Sequence, residues 1–163
     1  MTFRHFLLLG TFAVSALTSL VAQQPKSNEF HPIGFDQLAS FDYTSAAIDR
    51  EKPIDPQVVA LNERIPFRVR RFDGMKVSLT GFMLPTVVEG GLVKEFILMK
   101  DQQGCCYSQM PAMNGWVTVR IPSGVHEAMD VPIVIYGTIK IGPVVQEGYL
   151  SGIYEIDAVY MKR

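Results

Sequence analysis

From residue 65 onward, apolar and polar residues alternate with a period of two, and turn-forming residues break the pattern at regular intervals. Such alternation predicts half-buried strands of a small antiparallel sheet or barrel. Five strands are expected. The first covers residues 76–84 after the turn Asp73-Gly74, with Val77, Leu79 and Met83 on one face and Pro85 as its stop. The second covers residues 92–100, joined to the first through Glu89-Gly90-Gly91, where glycine supplies the positive backbone angles of a hairpin. The third, residues 116–121, turns Val117, Val119 and Ile121 one way and Trp116, Thr118 and Arg120 the other. The fourth, residues 131–141, points Val131, Ile133, Ile135, Ile139 and Ile141 to one side and carries Gly137 where a close-packed barrel bends. The fifth, residues 152–161, sets Tyr154, Ile156, Ala158 and Tyr160 against Glu155 and Asp157. The expected core is Val77, Leu79, Val117, Val119, Ile133, Ile135, Tyr154 and Ile156.

This count of strands, with a long connection before the third, predicts a mostly β fold: a five-stranded, OB-like, partly open barrel over residues 65–163. A small two-sheet β-sandwich is the alternative. Residues 23–64 read as an N-terminal arm, because Pro25, Pro32, Pro53 and Pro56 interrupt small apolar groups that would pack on the barrel. Residues 36–41 suit one helical turn. Asp55-Pro56 is a good start for a short helix through Asn62.

The first 22 residues have the layout of an export signal: basic Arg4 and His5, an apolar run from Phe6 to Ala16, then small residues around Ala16 and Ala22. Gly10, Thr11, Ser15, Thr18 and Ser19 interrupt the run, which argues against the roughly 20 apolar residues of a membrane span. A periplasmic or secreted protein, with no membrane span after cleavage, is therefore expected. With 163 residues, 48% of them hydrophobic, the chain can bury one core but not two of ordinary size. Past residue 22 it holds fourteen Lys and Arg against sixteen Asp and Glu. That balance argues against nucleic acid as a partner. The one basic cluster, Arg64, Arg68, Arg70, Arg71 and Lys76, suits a solvated strand entrance better than a phosphate track.

Candidate chemistry concentrates in residues 104–117, which hold both cysteines and the single tryptophan. Cys105 and Cys106 are soft donors when deprotonated, and a thioether from Met110 or Met113 could join them on copper(I) or zinc. A zinc site usually takes four ligands, and His126 is the imidazole that could fold back toward the cysteines. The competing reading is two buried thiols beside gap-filling methionines. A disulfide between neighbours is awkward: Cα atoms sit about 3.8 Å apart across a trans peptide, and disulfides prefer about 4.4–6.8 Å. Such a bond would be easily reduced, which leaves a redox pair open as an activity. Tyr107, Pro111, Asn114 and Trp116 are the residues expected to meet a partner protein, with the aromatic pair as its anchor. Glu155 and Asp157, two apart on one strand, suit either an acid/base pair or a solvated sheet face. Ser123 with His126 lacks an identifiable orienting residue and oxyanion hole. The sequence has no HExxH, phosphate-binding glycine loop, nucleophile elbow or paired CxxC.

The order Ile65-Pro66, Asp73-Gly74-Met75-Lys76-Val77, Gly81-Phe82-Met83-Leu84-Pro85, then a cysteine segment closing on Pro111, Asn114 and Val117, resembles the bacterial domain-of-unknown-function 3299 family of exported proteins. The resemblance covers residues 65–163, with weaker similarity in the arm. It implies transition-metal handling, zinc first, alongside an ABC transporter or a metal-binding exported protein. It places the family's cysteine on Cys105, its proline on Pro111 and its asparagine on Asn114, and Tyr107 stands where many relatives carry histidine. The function expected is that of an exported, non-catalytic accessory or binding protein. A thiol-disulfide redox protein using Cys105 and Cys106, or a purely structural interaction module, are the alternatives.

Overall fold

The computed structural model describes residues 27–43, 65–102 and 112–163. The expectations for the export signal, for the helix after Asp55 and for residues 103–111 lie outside them. Six strands form one sheet: β1 (His31–Ile33), β2 (Lys76–Glu89), β3 (Leu92–Met99), β4 (Trp116–Val125), β5 (Ile133–Gln146) and β6 (Tyr149–Lys162). Two single-turn helices, α1 (Phe35–Leu38) and α2 (Phe67–Arg70), precede β2. The sheet runs β1-β2-β3-β4-β6-β5 and closes because β2 also pairs with β5. A mostly β, five-stranded barrel of OB-like connectivity results. The barrel is closed rather than partly open, and no second sheet exists among the described residues to make a sandwich.

Closure depends on β2 changing partners along its length. Residues 76–81 pair with β5 and residues 82–89 with β3. Gly81 sits at the change-over, where an added Cβ would lie 2.9 Å from Leu98 Cγ and 3.1 Å from the Phe35 ring. Only glycine lets the strands approach that closely. Pro85 does not end β2. A register shift between Pro85 and Val87 absorbs the missing donor, and the strand runs on to the two-residue turn Gly90-Gly91, both at positive φ. β5 starts at Ile133 rather than Val131, since Pro132 has no N–H for the ladder, and Val131 is exposed. β5 then crosses Gly142-Pro143 through another register shift. The turn Glu147-Gly148, again with positive φ at both residues, leads into β6.

All eight residues expected in the core are fully buried. They meet inside the barrel with Phe96, Leu98, Ile121 and Ile139. The shortest ladder in the barrel is the parallel pairing of β4 with β6, Thr118↔Glu155 to Arg120↔Asp157. The N-terminal residues dock on the barrel: β1 adds to β2 in parallel, and Phe30, Ile33, Phe35, Leu38 and Tyr43 are buried. Tyr154, from inside the barrel, donates its hydroxyl to the Leu38 carbonyl at 2.8 Å. Burial, aided by the neighbouring Tyr43, pushes the Tyr154 phenol well above the usual tyrosine range. Among the described residues no helix is long and apolar enough to cross a membrane.

Candidate functional site

The sequence segment singled out above enters the described structure at Ala112 and is fixed by its last residues. Met113–Gly115 forms one 3-10 turn, closed by the Gly115 amide donating to the Ala112 carbonyl at 2.7 Å. Met113 and Asn114 are buried. The Asn114 side chain donates to the Phe41 carbonyl at 2.6 Å, tying the turn to the docked N-terminal residues. Trp116 opens β4 with 6% of its surface exposed, and its indole N–H donates to the Ser151 carbonyl of β6 at 3.2 Å. Both residues are therefore engaged inside the fold, with little surface left for a partner.

Beside this turn lies an open cleft of about 550 Å³, lined on one side by Ala39, Phe41, Asp42 and Tyr43 and on the other by Ala112, Asn114 and Gly115. Cys105, Cys106, Tyr107, Met110 and Pro111 lie outside the described residues. His126 is exposed in the connection between β4 and β5, where its backbone carbonyl accepts from Arg163 at 3.4 Å. Among the described residues no three His, Cys, Asp or Glu side chains converge to hold a metal ion.

A second polar constellation spans the outer face of β3, β4, β5 and β6. Arg120 Nε donates to Glu95 at 3.0 Å, and its Nη1 pairs with Glu155. Lys140 meets Glu155 at 3.2 Å and Asp157 at 2.7 Å, while Gln146 and Thr86 donate to Glu95 at 3.1 and 3.3 Å. Burial alone would lower the Arg120 pKa, but the Glu95 hydrogen bond and the charges of Glu155, Glu95 and Asp157 together raise it. Hydrogen bonds to Asp157 and Glu155 raise that of Lys140. Glu155 is only 7% exposed and is held by two cations, which does not fit a solvated sheet face. Period-two spacing puts Glu155 and Asp157 on one face but does not by itself name their cations. The signal was present: counted back from the turn Glu147-Gly148, the hairpin puts Lys140 opposite Glu155.

A family model described as a protein of unknown function, DUF3299, matches residues 28–163. The chain belongs to the DUF3299 family. Its fold is similar to a crystal structure of a DUF3299 family protein from Pseudomonas aeruginosa PAO1, with a TM-score of 0.56 and 23% identity, covering 81% of this chain and 94% of that one. No curated protein matches it. The DUF3299 match begins at residue 28, so it takes in β1 and α1 together with the barrel and both walls of the cleft.

Proposed function

We propose that this DUF3299 protein is an exported, non-catalytic accessory protein that binds a transition metal, zinc first, through the segment around Cys105, and works beside an ABC transporter or another metal-binding exported protein. The observation that supports this reading is the open cleft between residues 39–43 and 112–115. Its rim, Ala112–Gly115, continues directly from residues 105–111 and is held in place by Asn114 and Trp116. The described residues next to the cysteine segment are thus fixed to the barrel, and a rigid scaffold is what positions binding residues. The carboxylates nearest to an acid/base arrangement, Glu155 and Asp157, are held by Arg120 and Lys140, which supports binding over catalysis.

Elemental analysis of protein purified from its own host tests the metal, with Cys105→Ser and Cys106→Ser beside the wild type. Stoichiometric zinc in the wild type, lost in Cys105→Ser and kept in Cys106→Ser, is the expected result. A metal-free wild type whose mass is two units below the fully reduced chain would replace this reading with the redox pair. Intact mass of the same envelope protein should show a mature start between residues 17 and 25. Full-length chain recovered from the membrane would reject export with cleavage.

A further inference from the structure

The helix α2 presents its residues in two sharply different groups. On a helical wheel, Val69 points opposite Phe67, whereas Arg70 and Arg71, three and four residues on, share the Phe67 side and Arg68 flanks it. The structure follows this division. Ile65, Val69 and Phe72 are buried at 1%, 0% and 3% exposure, and Phe67 stands out at 75%, the most exposed large apolar side chain among the described residues. Arg68, Arg70 and Arg71 are all exposed around it.

None of the three arginines pairs with a carboxylate among the described residues. Arg68 donates to the Ser40 hydroxyl at 3.2 Å and to its carbonyl at 2.8 Å, and the Arg71 guanidinium lies 4.9 Å from the Phe72 ring centroid. Both guanidiniums are thus oriented while keeping their charge toward solvent. The acids nearest in the chain and in the adjoining hollow are Asp73, which accepts from the Ile141 amide at 2.8 Å, and Asp36. Three arginines and Lys76 outweigh them in a chain whose net charge is −1.

We propose that α2 is a membrane-surface anchor, docking reversibly on an anionic phospholipid bilayer with Phe67 at headgroup depth and the arginines on lipid phosphates. Helices that lie on a membrane seat apolar side chains, Phe among them, at the headgroup–acyl boundary. Guanidinium groups bind phosphate bidentately while their stems lie along apolar surface. A protein partner fits this surface less well. A stable protein interface buries roughly 800 Å² per side around anchors seated in a pocket, and here one ring projects from one turn, ringed by charge. A bilayer deforms around a single projecting side chain. The docking is independent of the metal site and needs no spanning helix.

The test uses the mature protein purified from the cell envelope with two vesicle types, phosphatidylglycerol mixed with phosphatidylcholine, and phosphatidylcholine alone. Whatever the N-terminus adds is common to every variant. The wild type should sediment with the anionic vesicles and be released by high salt. Arg70→Gln and Arg71→Gln should each weaken binding about fivefold. Phe67→Trp should bind and blue-shift its emission on the anionic vesicles, while Trp116, buried with its N–H bonded, gives a constant background. Unchanged binding in the arginine variants, equal binding to neutral vesicles, or an unshifted Phe67→Trp emission would overturn the proposal. So would capture by soluble polyglutamate with no vesicle binding, which would make the patch a site for an acidic protein. The arginine variants carry the test alone if Phe67→Trp does not fold.

Discussion

Strands β4 and β6 bury side chains on both of their faces, and the two faces are held by different physics. Inside the barrel, Val117, Val119 and Ile121 meet Tyr154, Ile156 and Ala158 in contacts that are almost wholly apolar. Outside it, Trp116, Thr118 and Glu155 are buried as well, but the indole and the carboxylate hold by directional contacts: indole to Ser151 carbonyl, carboxylate to Arg120 and Lys140. Apolar burial is non-directional and scales with area removed from water. A buried polar contact gives little net stability while intact and costs most when one partner is lost. The inner face should therefore respond to volume, and the outer face to the identity of single partners.

The largest effect belongs to the inner face. Ile135 is fully buried between Leu79 of β2 and Met161 of β6. Ile135→Ala should cost about 2–5 kcal/mol, the sum of lost transfer energy and a cavity the closed barrel cannot collapse. Urea unfolding followed by far-UV circular dichroism measures it. A change under about 0.5 kcal/mol, the size of a surface substitution, would show that the barrel interior is not the stabilising face.

Next comes Glu155, which distinguishes the two faces most directly. Glu155→Ala removes the shared partner of Arg120 and Lys140, whose side chains are 40% and 58% exposed. Water compensates those cations in part, so the expected loss is about 1–2 kcal/mol, between an exposed and a buried ion pair. Adding Arg120→Ala and Lys140→Ala to this background should cost less than the same changes cost in the wild type, because each cation has already lost Glu155 and keeps only Glu95 or Asp157. Full additivity of the three substitutions would mean that the outer face holds by packing alone.

Alkaline pH probes the inner face through its one hydroxyl aimed at the N-terminal residues. Burial raises the folded-state pKa of Tyr154 above that of the unfolded chain. A group raised in this way adds stability that is complete below the unfolded value, about 10, and is lost as pH climbs from there toward the folded value. Lys140, also raised in the folded state, has the same sign and window. Unfolding free energy should thus fall above about pH 10. Tyr154→Phe should flatten most of that fall and, at neutral pH, cost about 1 kcal/mol for the hydrogen bond to Leu38. An alkaline limb unchanged in Tyr154→Phe would place the titrating group elsewhere.

The contrast also explains what could be read from the sequence. Period-two alternation of Val77, Leu79, Ile133 and Ile135 is a direct imprint of one dry face, so strand existence and core followed from it. Strand ends did not. Pro85 and Gly142-Pro143 look like stops, yet a register shift lets β2 and β5 pass them, and that depends on the partner strand rather than on local preference. The outer face was harder still, because Trp116 and Glu155 are covered by elements distant in sequence. Nothing near Glu155 in the chain announces that Arg120 lies against it. The turn at Met113–Gly115 shows the same limit: the bond from Asn114 to Phe41 that ties it down joins residues 73 positions apart.

The smallest expected effect sharpens the comparison from within the outer face. Asp157 is two residues from Glu155, on the same strand and side, and binds the same Lys140 at a shorter distance, 2.7 against 3.2 Å. Distance alone would rank Asp157 as the more important partner. Its side chain is 51% exposed against 9% for Glu155, however, and an exposed pair is screened by water and salt and must order two side chains. Asp157→Asn should therefore cost only a few tenths of a kcal/mol, well below Glu155→Ala, and the cost should vanish in high salt. The paired urea titrations, run at low and high ionic strength, decide it. If Asp157→Asn proved as costly as Glu155→Ala and kept that cost in high salt, the outer face would hold by close ion contacts wherever they lie, and burial would not be what separates it from the surface.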